Sequence, residues 1–289
     1  MKYILPTFLI PGAGKSGTSY LAEILSRHPD IFISFSKEPG FFSTYKGVGL
    51  YHKGIDFYQK SFIGYRGQKH IGEASTVYMY DPESPRLIHR HIPNVKLIFL
   101  LRNPIDRVYS NYWQDIKAGR KLPDFYTLLI NDHQRIREMI YISRYDIHLK
   151  NYLELFNREQ MLILLHDDLK KDRLQTINTI LSYLEVGPFP EGTNLDLKIN
   201  PSSMPRSRIL TRLLRVQRLT QFVKRIAPSN LVVPLKEALE FMRDSLQKPF
   251  NYPQMDEEAR GYLSQVFREP ISNLSSMLKR DLSHWYECH

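Results

Sequence analysis

Lys15 stands at the crown of a glycine-rich turn, flanked by Gly14 and by Ser16-Gly17-Thr18-Ser19. Its ammonium and the hydroxyls of Ser16, Thr18 and Ser19 are the donors that an oxyanion such as phosphate or sulfate needs. The preceding Phe8-Leu9-Ile10 is apolar enough for a buried parallel strand. The following Thr18 to Arg27 has a helical pattern, with Tyr20, Leu21, Ile24 and Leu25 on one face. A helix that opens straight out of such a turn aims its unbonded N–H groups and its dipole at whatever the turn holds, which favours an anion.

A second group able to do chemistry is Arg102 with Ser110. The run Val95 to Leu101 reads as the strongest buried strand of the chain, and Arg102 follows its C-terminal end, the edge where open α/β sheets bind ligands. Pro104 opens a helix at the position where its missing N–H is harmless. An arginine at a strand tip, with a serine two helical turns later, can hold a second phosphate through paired N–H donors and a hydroxyl. A third candidate is Glu38, just past a short strand at 31–35, placed to take a proton on the same edge. Phe41 and Phe42 are expected to shield it from water, and Glu73 is a second carboxyl of either catalytic or structural use.

The loop by itself is ambiguous. Gly12-x-Gly14-x-x-Gly17 matches the dinucleotide-binding pattern, a weak signal alone. A strict Walker A loop needs glycine six positions before its lysine, where Leu9 stands. A serine-hydrolase elbow lacks its second glycine. A strand that holds magnesium for a nucleoside triphosphate ends in aspartate, and the strand here ends in Arg102.

The elements that must position these groups alternate as in an α/β three-layer fold with a central parallel sheet. Strands are expected over 3–10, 31–35, 70–73, 95–101 and 161–165, and helices over 17–27, 82–91, 104–118, 124–138, 144–157 and 171–184. Residues 36–69 form an aromatic excursion with Phe41, Phe42, Tyr45, Tyr51, Phe57, Tyr58, Phe62 and Tyr65, most of them expected in the core. Residues 187–208 read as a loop ending in a basic turn, followed by an amphipathic helix over 209–226. The 289 residues read as one domain, with a core at about 3–186 and a basic loop and C-terminal helices at about 187–289.

The net charge of +10 is concentrated. No acidic residue lies between Asp196 and Glu237, whereas Lys198, Arg206, Arg208, Arg212, Arg215, Arg218, Lys224, Arg225 and Lys236 do. Such an excess implies an anionic ligand or surface. The single cysteine, Cys288, excludes an internal disulfide framework and most zinc sites, and no metal is expected. No apolar stretch reaches membrane-spanning length, so a soluble, cytoplasmic protein is expected.

Lys15-Ser16-Gly17-Thr18-Ser19 together with Arg102-Asn103-Pro104-x-x-Arg107-x-x-Ser110 resembles the PAPS-dependent sulfotransferases. Lys37-Glu38-Pro39-Gly40-Phe41-Phe42 and Gly72-Glu73-Ala74-Ser75 resemble segments of the heparan-sulfate branch and of its bacterial relatives. Tyr145 to Leu169 resembles the family's later helix–strand unit, and Pro205-Arg206-Ser207-Arg208 its basic nucleotide-closing loop. The resemblance spans roughly residues 5–215. It implies a P-loop-like fold, PAPS as donor and PAP as product. It further implies that Gly14, Lys15, Ser16, Gly17, Thr18 and Ser19 bind the 5′-phosphosulfate and Arg102 and Ser110 the 3′-phosphate. Arg206, Ser207 and Arg208 would close over the nucleotide, and Lys15 and Glu38 would be the catalytic pair. His28 and His52 are the alternative bases. The chain departs from the pattern at Gly14, where many members have proline, and at Ala74, where the carbohydrate branch often has lysine. The acceptor implied is a hydroxyl compound, a carbohydrate or a lipid among the options, with no nucleic acid partner and at most peripheral membrane contact. Two other readings stay open: a P-loop-like small-molecule kinase, and a non-catalytic protein binding an anionic polymer or membrane through residues 198–236.

Overall fold

The computed structural model describes residues 3–36, 38–195, 203–205 and 247–286. Its centre is a sheet of five parallel strands in the order β2-β3-β1-β4-β5, formed by β1 (Phe8–Gly12), β2 (Ile31–Ile33), β3 (His70–Ala74), β4 (Lys96–Leu101) and β5 (Met161–Leu165). The sheet is P-loop-like, with β1 in the middle and chain connections leaving to either side of it. The five apolar runs form these strands with shifted ends. The first begins five residues later than its apolar run predicts and continues to Gly12. Tyr3 is exposed instead.

Period-two alternation decides which face each strand residue covers. Phe8, Ile10, Ile98 and Leu100 meet Leu21, Ile24 and Leu25 of α1 (Thr18–Leu25). On that face they also meet Leu169 of α8 (His166–Lys171) and Ile177, Ile180 and Leu181 of α9 (Arg173–Tyr183). On the other face Phe99 packs edge-on to Tyr152 of α7 (Tyr145–Leu153), with ring centroids 5.0 Å apart. The remaining α-helices among the described residues are α2 (Ile55–Gln59), α3 (Ser84–His91), α4 (Pro104–Lys117), α5 (Phe125–Ile130), α6 (Gln134–Ile142) and α10 (Glu257–Leu278). Asp256 caps α10 by accepting from the N–H groups of Glu258 and Ala259.

Two expected helices are broken by local caps. The pattern over 124–138 divides into α5 and α6, because Asp132 takes a positive φ of 46° and the His133 side chain accepts the Arg135 N–H at 3.0 Å, starting a new helix. The pattern over 171–184 starts at Arg173, because Asp172 caps the Gln175 N–H at 2.9 Å, while a separate helix precedes it. The helix expected over 209–226 lies outside the described residues.

The chain divides into two compact units. The first, residues 1–112, 123–197 and 255–289, contains the parallel sheet. The second, residues 113–122 and 198–254, contains an antiparallel pair, β6 (Ser203–Pro205) with β7 (Gln247–Pro249), and a stack of Trp113 on Tyr252 at 6.1 Å. Among the described residues no helix is long and apolar enough to cross a membrane.

Candidate active site

The glycine turn leaves β1 at the C-terminal edge of the sheet, beside the tip of β4. The Ala13 N–H donates to Leu100 O at 2.8 Å, which fastens the turn to that strand. Lys15 has φ 71° and Gly17 φ 104°, so the crown is left-handed at both positions. Gly17 is the N-cap residue of α1 and supplies no side-chain cap. A side chain there would have to adopt a strained backbone, whereas glycine does so freely.

Arg102 and Lys15 come together. Arg102 Nη1 donates to the Lys15 carbonyl at 3.3 Å, so the tip of β4 grips the crown of the turn after β1. Ser16 and Thr18 are buried, Gly14 and Ser19 half-buried, and Ser110 is buried on α4, one turn beyond Arg107. Ser16 Oγ and the Tyr145 hydroxyl are both buried, and among the described residues neither meets a partner with hydrogen-bond geometry. Burial pushes the Tyr145 pKa up, against the pull of Arg107 and Arg102. His166, the first residue after β5, borders the turn: a Cβ at Gly17 would lie 3.6 Å from its Cδ2. Burial first, then Arg102 and Lys170, lowers its pKa to about 4, so its ring is neutral at physiological pH.

Glu38 reaches the same edge from the far side. Its Oε1 accepts from Thr76 Oγ1 at 3.3 Å, and that hydroxyl oxygen is 3.4 Å from where a Cβ on Gly14 would sit. Glu38 has φ 51° and Gly40 φ 63°. One bond that holds this turn is the Gly40 N–H donating to Ser75 Oγ at 2.9 Å. Ser75 in turn donates to Glu73 Oε1, and Tyr58 donates to Glu73 Oε2. Glu73 is fully buried, and burial raises its pKa from 4.5 to about 7 despite these hydrogen bonds from Ser75, Tyr58 and Tyr78. Its place is beneath the site, as the anchor of the segment that carries Glu38.

The expectation that Phe41 and Phe42 shield Glu38 is corrected. The Glu38 carboxyl is exposed, and both rings turn into the core. Phe41 stacks on Tyr58 at 4.4 Å, and Phe42 sits edge-on to Tyr58 at 5.3 Å and to Tyr78 at 5.9 Å. Apolar burial against those rings outweighs covering one surface carboxylate. His28 is equally removed from the chemistry. It precedes β2 at the opposite edge, buried, with Nε2 3.0 Å from the Gly187 carbonyl and Nδ1 accepting the Asp30 N–H. His52 is exposed on the single turn Tyr51–Lys53. Lys37, Arg206, Ser207, Arg208 and most of the basic segment lie outside the described residues.

Residues without an assigned role in the sequence also converge here. Arg107 Nε donates to the Gly14 carbonyl at 3.1 Å. Asn103 receives the C-terminal segment: its Nδ2 donates to Trp285 O at 2.8 Å, while Trp285 Nε1 donates to Asp167 Oδ2 at 2.7 Å. Arg280 adds a two-pronged pair with Asp168. The turn after β4 and the first turn of α8 are thereby fastened to each other through the C-terminal segment. The offsets of 107, 110 and 111 on α4 from Asn103 just before it were a readable signal for Arg107, since residues three and four apart share a face. Nothing near Trp285 in the sequence indicates its partners.

Among the described residues neither Arg102 nor Arg107 has a carboxylate partner, so the edge between β1 and β4 presents the Arg102 guanidinium, the Lys15 loop and the start of α1, with the buried Arg107 behind the turn. Such an arrangement can hold a polyanion. Among the described residues no three His, Cys, Asp or Glu side chains gather as a metal site.

The family described as Sulfotransferase domain matches residues 5–275. The membrane-associated sulfotransferase kil1 of Dictyostelium discoideum is 39% identical over 111 residues, 37% of this chain and 22% of that protein. The bifunctional heparan sulfate N-deacetylase/N-sulfotransferase 4 of Mus musculus is 26% identical over 295 residues, 96% of this chain and 30% of that protein. The chain thus spans less than a third of the length of these two relatives. A crystal structure of a sulfotransferase from Alicyclobacillus acidocaldarius is similar with a TM-score of 0.69 and 26% identity, covering 98% of this chain and 100% of that one.

Proposed function

The chain belongs to the sulfotransferase domain family, and from that premise we propose that it transfers a sulfuryl group from PAPS to an acceptor hydroxyl and releases PAP. The observation that carries this reading is the convergence of the Lys15 turn with Arg102 at the tip of β4, which is bonded to the Lys15 carbonyl and has no carboxylate partner among the described residues. A nucleotide with phosphates at two positions matches charge of that kind, as Arg binds phosphate oxygens through paired donors.

In this reading the turn Gly14 to Ser19 and the start of α1 bind the 5′-phosphosulfate, and Arg102 and Ser110 bind the 3′-phosphate. The acceptor oxygen attacks sulfur in line as the bond from sulfur to the bridging phosphate oxygen breaks. Lys15 stabilises the charge that develops on that leaving oxygen. The acceptor proton passes to the Glu38 carboxylate, whose exposure leaves it open to an incoming hydroxyl. Thr76 orients Glu38, and the Glu73–Ser75–Gly40 chain of hydrogen bonds holds its turn. Positioning and charge stabilisation supply most of the rate in transfers of this type. The heparan sulfate sulfotransferase of the mouse supports a carbohydrate acceptor, and the membrane-associated sulfotransferase of Dictyostelium supports a membrane-proximal setting.

Calorimetry with PAP in the presence of a chelator, against ATP with magnesium, tests the donor. Tight PAP binding without metal is expected, and equal or better binding of ATP with magnesium overturns the reading in favour of a kinase. Transfer of label from ³⁵S-PAPS to pooled sugars, amino sugars, lipids and phenols then identifies the acceptor.

A further inference from the structure

Arg107 is a buried cation with no carboxylate partner among the described residues. Only 3% of its surface is exposed. Its donors all reach neutral acceptors: Nε the Gly14 carbonyl at 3.1 Å, Nη1 the Met139 carbonyl at 3.3 Å and Ser143 Oγ at 2.9 Å, and Nη2 Asn111 Oδ1 at 3.4 Å. Ser143 Oγ donates its own proton to Met139 O at 2.8 Å, which leaves its oxygen to accept from the guanidinium. Among the described residues the charged and titratable groups that face Arg107 are Tyr145, Tyr80, Arg135, Arg102 and His148, whose pKa burial lowers to about 4 so that it is neutral. Two are cations, and the two phenols are held neutral by burial.

A structural arginine in a protein interior is ordinarily paired with a carboxylate, because an unpaired buried charge is costly. Here no compensating carboxylate is found among the described residues, and the guanidinium lies against the turn proposed to hold an anionic nucleotide. The four acceptors also come from three parts of the fold: the β1–α1 turn, α4, and the end of α6 with the Ser143 that follows it. The Gly14 carbonyl and the Lys15 N–H belong to one trans peptide and point in opposite directions. Holding the carbonyl on Arg107 therefore aims the Lys15 N–H away from α4.

We propose that Arg107 is a positioning residue that bolts the Gly14–Ser19 turn to α4 and α6 in its anion-binding form, with its buried charge balanced by the phosphates of the bound nucleotide. The proposal rests on the assignment of that turn to PAPS. Arg107 does not touch the reacting sulfur. It acts through the Gly14 backbone and through its field, so its loss weakens PAP and PAPS while leaving the acceptor unaffected.

The test uses the full chain and the variants Arg107→Gln and Arg107→Lys. PAP affinity is measured by calorimetry, and KM for PAPS, KM for acceptor and kcat by label transfer. Lysine keeps the charge but cannot fork to several acceptors. The expected loss of PAP affinity in Arg107→Gln is about tenfold to a hundredfold, the range for charge-assisted hydrogen bonds. Arg107→Lys is expected to recover part of it. KM for PAPS should rise in parallel while KM for acceptor stays constant. Wild-type affinity for PAP in a folded Arg107→Lys or Arg107→Gln protein overturns the proposal, because a purely structural arginine would lower stability without that selective effect. If Arg107→Gln does not fold, Arg107→Lys decides alone by the same KM split. A wild-type protein that binds no PAP overturns the functional reading itself, and this inference with it.

Discussion

Glu73 offers the sharpest quantitative test of how burial controls charge beneath this site. It lies at the end of β3, fully buried, with one carboxyl oxygen accepting from Ser75 and the other from Tyr58. Those hydrogen bonds favour the carboxylate, but burial outweighs them and raises the pKa from 4.5 to about 7. At 1.36 kcal/mol per pH unit, that rise corresponds to about 3 kcal/mol. Below pH 4.5 both folded and unfolded chains carry the proton, and the stabilising contribution is fully present. Between 4.5 and about 7 the unfolded chain has released it while the folded chain retains it, so stability falls as pH rises. Above about 7 the folded chain ionises too, and the loss levels off. Glu73→Gln cannot ionise. Its amide, like the protonated carboxyl, offers one acceptor and one donor toward the two hydroxyls, so any mismatch of about 1 kcal/mol is independent of pH. Urea unfolding of both proteins from about pH 4 to about pH 9 isolates the ionisation, since every other group cancels in the difference. The variant's stability minus that of the wild type should climb by about 3 kcal/mol across the window and then flatten. A difference that stays flat, or that falls with pH, refutes the account of Glu73 as a carboxyl whose charge is opposed by burial.

Three further outcomes follow from the site and its scaffold. Lys15→Ala should lower kcat strongly with little change in PAP affinity, and Arg102→Ala should mainly weaken PAP and PAPS; steady-state kinetics with calorimetry checks both, and the reverse pattern would mean that the two phosphate sites are exchanged. Glu38→Gln should leave PAP binding intact and slow transfer to an aliphatic hydroxyl about a hundredfold, with a smaller loss for acidic phenols; unchanged turnover would remove Glu38 as the base. Gly72→Ala should destabilise the sheet by about 3 kcal/mol in urea unfolding, because its Cβ would fall 2.2 Å from Phe8 Cζ and 2.6 Å from Ile33 Cδ1; a stable variant would show that β1 and β2 can spread there.

Much of this molecule was legible in consecutive residues. The Gly14–Ser19 turn, the apolar run ending at Arg102 and the proline that opens α4 are local signals, since a turn, a buried strand and a helix start depend on neighbours a few positions away. The parallel sheet and the nearness of Lys15 to Arg102 follow once those strands are placed side by side. The division between α5 and α6 was local too, yet it rested on the positive φ of Asp132 and the cap at His133, which an apolar periodicity overrides on paper. What only the tertiary structure decided are the fates of side chains whose partners are distant in the chain. Phe41 and Phe42 had two places to go, and Tyr58 and Tyr78 settled it. Arg107 is a helix-surface residue by its spacing, and Met139, Ser143 and Gly14 make it a buried one. Glu73 reads as any strand-end glutamate until Tyr58 and Ser75 close over it and its charge becomes costly. Burial is a property of what packs around a residue, so sequence spacing can name the groups able to do chemistry, while the folded surroundings determine which of them keep their charge and face the ligand.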